Sequence, residues 1–299
     1  MNKYEIYVDS GNNIPDELLE KYDINVVPFT CTIDGKETDC YEKGVPFKQT
    51  AVRFYEALRA GADIKTSLIG AAKFAEYVAP ALKNGKDVII FTISSGISGT
   101  YNQAVAAQKE LAEKYPDRKI IVRDSANASM GSGMQAIKAA ELRDEGESVE
   151  NCDKWFEENG YKFNSYVTVG DLKYLRKGGR VSAVAAIAGT ILNIKPILHA
   201  NETSPANLTV CAKERGKKKA LAYIANAYSQ RAENVGNDTV YICHADSVDD
   251  ANELAQMIKD RGAKEVILEY YDLCTGSHVG PGTVALFFFG KDRRTYPAN

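Results

Sequence analysis

Histidine is scarce in this chain: His199, His244 and His278 are the only three in 299 residues. His199 and His244 have no partner at metal-ligand spacing, and no His/Cys/Asp cluster forms a zinc signature. The six cysteines (Cys31, Cys40, Cys152, Cys211, Cys243, Cys274) include no C-x-x-C pair. In a chain this long an even count is no disulfide framework, so reduced, packed thiols are expected. No run of about 18 apolar residues occurs, and Lys3, Glu5 and Asp9 interrupt any apolar signal core behind Met1, so a cytoplasmic protein is expected. A net charge of −3, with 26 % charged residues, supplies no basic field for nucleic acid or anionic membrane. G-x-G-x-x-G and G-x-x-x-x-G-K-[ST] are both missing, which removes dinucleotide and P-loop nucleotide binding. G-x-S-x-G is missing too.

What is present reads as two α/β domains, 1–160 and 161–299, because 299 residues exceed one comfortable core. In the first domain, strands at Tyr4–Asp9, Asn25–Ile33, Asp87–Ile93 and Lys119–Asp124 alternate with helical patterns, which predicts a βαβ unit with a mostly parallel sheet. Several strands end in small polar residues: Asp9-Ser10, Asp124-Ser125, and Ser94-Ser95-Gly96-Ile97-Ser98-Gly99-Thr100-Tyr101 ahead of an Ala-rich helix. Hydroxyls and glycines between a strand and a helix N-terminus form a cradle for an anion. Thr66 and Ser67 stand where N-caps of the next helix belong. The second domain mixes helices with strands that include a hairpin, which predicts a mixed or antiparallel sheet and a ligand cleft between the domains.

Within the second domain runs Gly178 to Leu198: a paired glycine, Arg180, then small and branched apolar residues without one acid, ending at a proline-bounded strand. Such a segment either packs tightly as core or walls a cavity.

Taken in order, Asp9-Ser10, Thr66-Ser67, Ile93 to Tyr101, Asp124-Ser125 with Ser129-Met130-Gly131, Lys177-Gly178-Gly179-Arg180 and Gly276 to Thr283 resemble the DegV family across nearly the whole chain. That family binds fatty acids and serves as the acyl-carrying subunit of bacterial fatty acid kinase. The resemblance implies a long-chain fatty acid whose carboxylate is held by Thr66, Ser94 and Ser95, with His278 in support. It implies a tail lined by the apolar helix beyond Gly179 (Ile187, Ile191, Ile194). It further implies docking of an ATP-dependent kinase subunit through Arg180 and Arg215, no cofactor, and no chemistry by the chain alone. Where the family continues Thr-Ser with Gln-Pro-Ser, this chain has Leu68-Ile69-Gly70, a difference at the mouth of the site.

Two other readings stand beside this one. Ser94 or Ser95 as a hydrolytic nucleophile lacks a compelling Asp/His order. A dihydroxyacetone-kinase-like phosphotransfer subunit needs a site histidine in the first domain, and none precedes His199.

Overall fold

The computed structural model describes residues 4–179, 193–201 and 206–295. The first strand, β1 (Tyr4–Asp9), is followed by a short α1 (Asp16–Lys21) behind Pro15, then β2 (Ile24–Val27), β3 (Thr30–Ile33) and β4 (Lys36–Asp39). Asn25–Ile33 is therefore not one strand. It breaks at Pro28, which has no N–H for a ladder, and its halves enter different sheets.

Next come α2 (Phe47–Ala60), β5 (Ile64–Ser67), α3 (Ala71–Lys83), β6 (Asp87–Thr92), α4 (Thr100–Lys114), β7 (Ile120–Asp124), α5 (Met130–Asp144) and α6 (Val149–Asn159). The remainder holds β8 (Phe163–Thr168), α7 (Lys173–Lys177), β9 (Ile194–Ala200), β10 (Leu208–Arg215), α8 (Lys217–Arg231), β11 (Thr239–Ala245), α9 (Val248–Lys259), β12 (Glu265–Tyr270), α10 (Leu273–Val279) and β13 (Thr283–Phe289).

Three sheets form among the described residues. The order β2-β1-β6-β7 is wholly parallel. Its central strand β6 is buried along Val88 to Thr92, the near-continuous apolar run that a parallel strand covered on both faces requires. The second sheet, β10-β9-β8-β13-β11-β12, is antiparallel except between β11 and β12. A small antiparallel sheet, β4-β3-β5, packs against α10 through β3 and β5.

The chain is thus α/β in two parts, with a parallel sheet in one and a mixed sheet in the other. The two parts share a core. Helix α5 packs on β1 and β6 of one sheet and on β8, β11 and β13 of the other. Its residues from Met130 to Ile137 are all buried, as a helix covered on both sides must be. Helices α8 and α9 cover the opposite face of the mixed sheet and bury Leu221, Ile224, Leu254 and Ile258.

Candidate functional site

Thr66 and Ser67 are not helix caps. They close β5, and α3 begins four residues later behind Gly70. The pairing of β5 with β3 sets Thr66 opposite Cys31. There Thr66 Oγ1 lies 2.9 Å from His278 Nε2.

His278 is carried by α10, a helix whose glycines and serine gave no periodic signal in the sequence. Asp272 caps it by accepting a hydrogen bond from the Thr275 N–H at 2.9 Å. Close approach of backbones explains the glycines around this helix. A Cβ on Gly178 would stand 2.1 Å from His278 Nδ1, and one on Gly280, at φ +75°, would stand 2.0 Å from the Tyr174 ring. The second glycine-rich stretch is therefore a seat for the α7 turn and the imidazole together.

Both groups of the Thr66–His278 pair can donate or accept, and one proton fills the contact between them. When His278 Nε2–H donates to Thr66, the threonine hydroxyl keeps its own proton for an anion. Thr66 and His278 are half-buried, so the pair is reachable from outside.

The loop after β6 is built differently from each end. Asp9, wholly buried, accepts hydrogen bonds from the Ile93 N–H at 2.7 Å and the Gly11 N–H at 3.0 Å and so fixes where the loop leaves its strand. Burial pushes the Asp9 carboxyl up to about 7. Ser94, also buried, donates to the Ala206 carbonyl at 2.6 Å and accepts from the Gly96 N–H at 3.2 Å. Its hydroxyl is fully engaged within the protein and ties the loop to the second domain. Gly96 permits that contact, since a Cβ there would stand 2.5 Å from the Ala206 carbonyl oxygen. Ser95 is half-buried and donates to Asp124 Oδ2 at 2.5 Å, while its N–H points at the same carboxylate. Asp124 is the partner that sequence reasoning did not place in the site, although a carboxylate at a strand end beside a serine-rich loop was its signal. Neither serine hydroxyl is hydrogen-bonded to a histidine, so the nucleophile-base pair of a serine hydrolase is not assembled.

The mouth between these groups is apolar. Leu68 is half exposed, and a Cβ on Gly99 would lie 3.4 Å from its Cδ2, so the end of β5 meets the Ser94–Gly99 loop. Ile69 is buried. Behind α10 lies a narrow cleft bordered by Val167, Leu198, Val279 and Phe287, with Thr275 on its edge.

Arg180, Ile187 and Ile191 lie outside the described residues. Ile194 opens strand β9 opposite Arg215, so it belongs to the sheet and not to a helix. Arg215 is exposed at the end of β10. The basic run at the start of α8 is only partly a surface feature: Lys217 Nζ reaches the Gly282 carbonyl at 2.6 Å and Asp250 at 2.7 Å, while Lys218 and Lys219 face solvent. Lys217 thereby sets the start of α8 beside the loop that follows α10.

No helix among the described residues is long and apolar enough to cross a membrane. Among them, too, no group of three or more His, Cys, Asp or Glu residues could hold a metal ion.

Comparison with known proteins places this arrangement. A DegV domain-containing protein of Clostridium perfringens is 36 % identical over 294 residues, covering 98 % of this chain and 99 % of that one. A second, from Caldanaerobacter subterraneus, is 34 % identical over 292 residues, covering 97 % of this chain and all of that one. Among solved structures, a fatty-acid-binding DegV family protein of Thermus thermophilus superposes with a TM-score of 0.85 at 27 % identity, covering 97 % of this chain and 100 % of that one. A DegV lipid-binding protein of Thermotoga maritima does so with a TM-score of 0.83 at 28 % identity, covering 97 % and 99 %. The family model described as "Uncharacterised protein, DegV family" matches residues 3–291, and with the two relatives above it shows that this chain belongs to the DegV family.

Proposed function

We propose that this chain binds one long-chain fatty acid, with the carboxylate at Thr66, His278 and Ser95. The observation that carries the reading is the 2.9 Å contact between Thr66, near the end of β5, and His278, on α10. Similar chains of Thermus thermophilus and Bacillus subtilis are described as fatty-acid-binding, and this supports the same ligand class here. A carboxylate needs several donors. Thr66 offers its hydroxyl directly while His278 Nε2–H donates to it, and the Ser95 hydroxyl joins by rotating away from Asp124. Ser94, with its hydroxyl committed to Ala206, shapes the loop. Each buried methylene of the tail contributes about 0.8 kcal/mol, so a long acyl chain offsets the cost of ordering it.

In the same reading the chain performs no chemistry alone. It presents the carboxylate to a separate ATP-dependent kinase subunit and then holds the acyl phosphate. Exposed Arg215 and Lys218, at the end of the molecule where Lys217 contacts the loop after α10, would meet an acidic partner surface.

Native mass spectrometry of the protein purified from cells is expected to find one fatty acid per chain. In delipidated protein, Thr66→Ala with Ser95→Ala should weaken oleate binding at least about tenfold, the equivalent of 1.4 kcal/mol, while circular dichroism stays unchanged. Full affinity in that variant would refute the head-group assignment. Arg215→Ala should slow kinase-coupled phosphorylation of the bound acid without altering its affinity.

A further inference from the structure

The mixed sheet has a second recess at its other end. Strand β13 starts at Thr283, beside α10, and ends at Phe289, so its two ends lie roughly 20 Å apart at the rise of a strand. Around Phe289 the chain leaves an open groove of about 420 Å³ between α5, α6 and the Glu233–Asp238 loop that leads into β11. That is the size of a small-molecule site.

Its walls are aromatic. Trp155, the only tryptophan in the chain, stacks on Phe289 with ring centroids 6.3 Å apart and meets Phe163 edge-on, and Tyr241 and Tyr22 complete the lining. Glu141, Glu233 and Asp238 stand at the same groove, with Lys138 and Lys162 as the ammonium groups beside Glu141 and Glu233.

The ring faces already hold cations. Lys138 Nζ sits 5.6 Å from the Trp155 centroid, paired with Glu141 at 3.2 Å. Lys162 Nζ sits 5.8 Å from the Phe289 centroid, with Glu233 3.9 Å away. Both lysines are on flexible stems and partly exposed, so each can swing into solvent when another cation takes its place. Asp238, held by Tyr228 at 2.6 Å, is a fixed negative charge at the rim.

We propose that this groove is a second ligand site, taking a small organic cation of the quaternary ammonium class with its apolar surface on Trp155 and Phe289 and its charge toward Glu233 and Asp238. Aromatic faces combined with carboxylates select such a cation over a neutral molecule of the same shape, because a quaternary ammonium is weakly hydrated and each ring presents a negative face. The site is separate from the Thr66–His278 pair and does not rest on the lipid reading.

The sole tryptophan makes the test direct. Choline and its neutral carbon isostere 3,3-dimethylbutan-1-ol are titrated against the full chain, following Trp155 fluorescence and confirming the stoichiometry by calorimetry. The expected result is saturable one-to-one binding of choline, about tenfold tighter than the alcohol. Glu233→Gln, a change at the rim, should weaken choline several-fold and leave the alcohol unchanged. Phe289→Leu should weaken both, and melting curves of the two variants serve as the control for folding. Equal affinity for the two probes, or no saturable signal for choline, overturns the proposal. So does displacement of choline by oleate, which would make the groove the far end of a lipid path.

Discussion

Gly178 and Gly179 look equivalent in the sequence, yet they have different tasks. A methyl on Gly178 would stand 2.1 Å from the His278 imidazole, whereas among the described residues nothing lies within 4 Å of one on Gly179. Gly179 instead holds a backbone φ of +72°, where a side chain is strained. Gly178→Ala should therefore push His278 off Thr66, cost about 1–3 kcal/mol by overpacking and weaken oleate binding. Gly179→Ala should cost about 1 kcal/mol in stability and leave oleate affinity near that of the parent. Denaturant melts paired with ligand titrations distinguish the two. If both substitutions left His278 hydrogen-bonded to Thr66, as its imidazole NMR shifts would report, the seat assigned to Gly178 would be wrong.

At the scale of elements, Thr66 depends on a hairpin it does not belong to. Strand β5 pairs with β3, and β3 is held by the turn at Asp34-Gly35, whose φ values of +49° and +83° are those of a two-residue type I′ connection. The turn is also pinned to the start of β5: the Asp34 N–H donates to the Asp63 carbonyl at 2.9 Å, and Asp34 Oδ1 accepts from the Asp63 N–H at 2.8 Å. Gly35→Ala should cost about 1 kcal/mol. It should also speed hydrogen exchange of backbone amides in β3 and β5 while those of β1 and β6 keep their protection. Uniform acceleration across both sheets would mean that the small sheet is not a separate unit of opening.

At the scale of the whole molecule, burial of carboxylates between the two parts sets a pH response. Asp9 and Glu269 are pushed up to about 7, and Asp272 to about 6, each chiefly by burial. A carboxylate raised in the folded state binds more protons there than when unfolded. Its stabilising share is complete below the unfolded value near 4 and is lost as pH rises through the folded value. His244, lowered to about 4 by burial, acts with the opposite sign, since its neutral folded form loses stability as pH falls below the unfolded value near 6.5. Above pH 6.5 the carboxylates dominate. The free energy of unfolding should fall between pH 6.5 and 8, by at most about 1.4 kcal/mol per pH unit for each group still titrating. Asp9→Asn should flatten that fall. A stability curve rising across this interval would contradict the assignment.

Much of the architecture was legible from the chain. The apolar run Val88 to Phe91 reads as a buried parallel strand because both its faces are covered, and the helical spacing of Val52, Tyr55 and Leu58 marks α2. The order of the short polar motifs identified the family before any coordinate. What the chain hid was local signal overridden by distant contacts. Thr66 and Ser67 have the composition of helix caps, but the edge of β3 claims their backbone for a strand. Helix α10, with Gly276 and Ser277 inside it, has poor propensity and exists because Asp272 caps it and Tyr55 and Tyr174 pack against its glycines. Ser94 and Ser95 are adjacent and chemically alike, and only the fold sends one hydroxyl to Ala206 and the other to Asp124.

Propensity, period and motif order act over a few residues and are written in the sequence, so they determined the class of fold and the family. The meeting of Thr66 with His278, 212 positions apart, is a property of sheet register and shared core. Only the tertiary structure decides it, because no local interaction records which strand edge a hydroxyl will face.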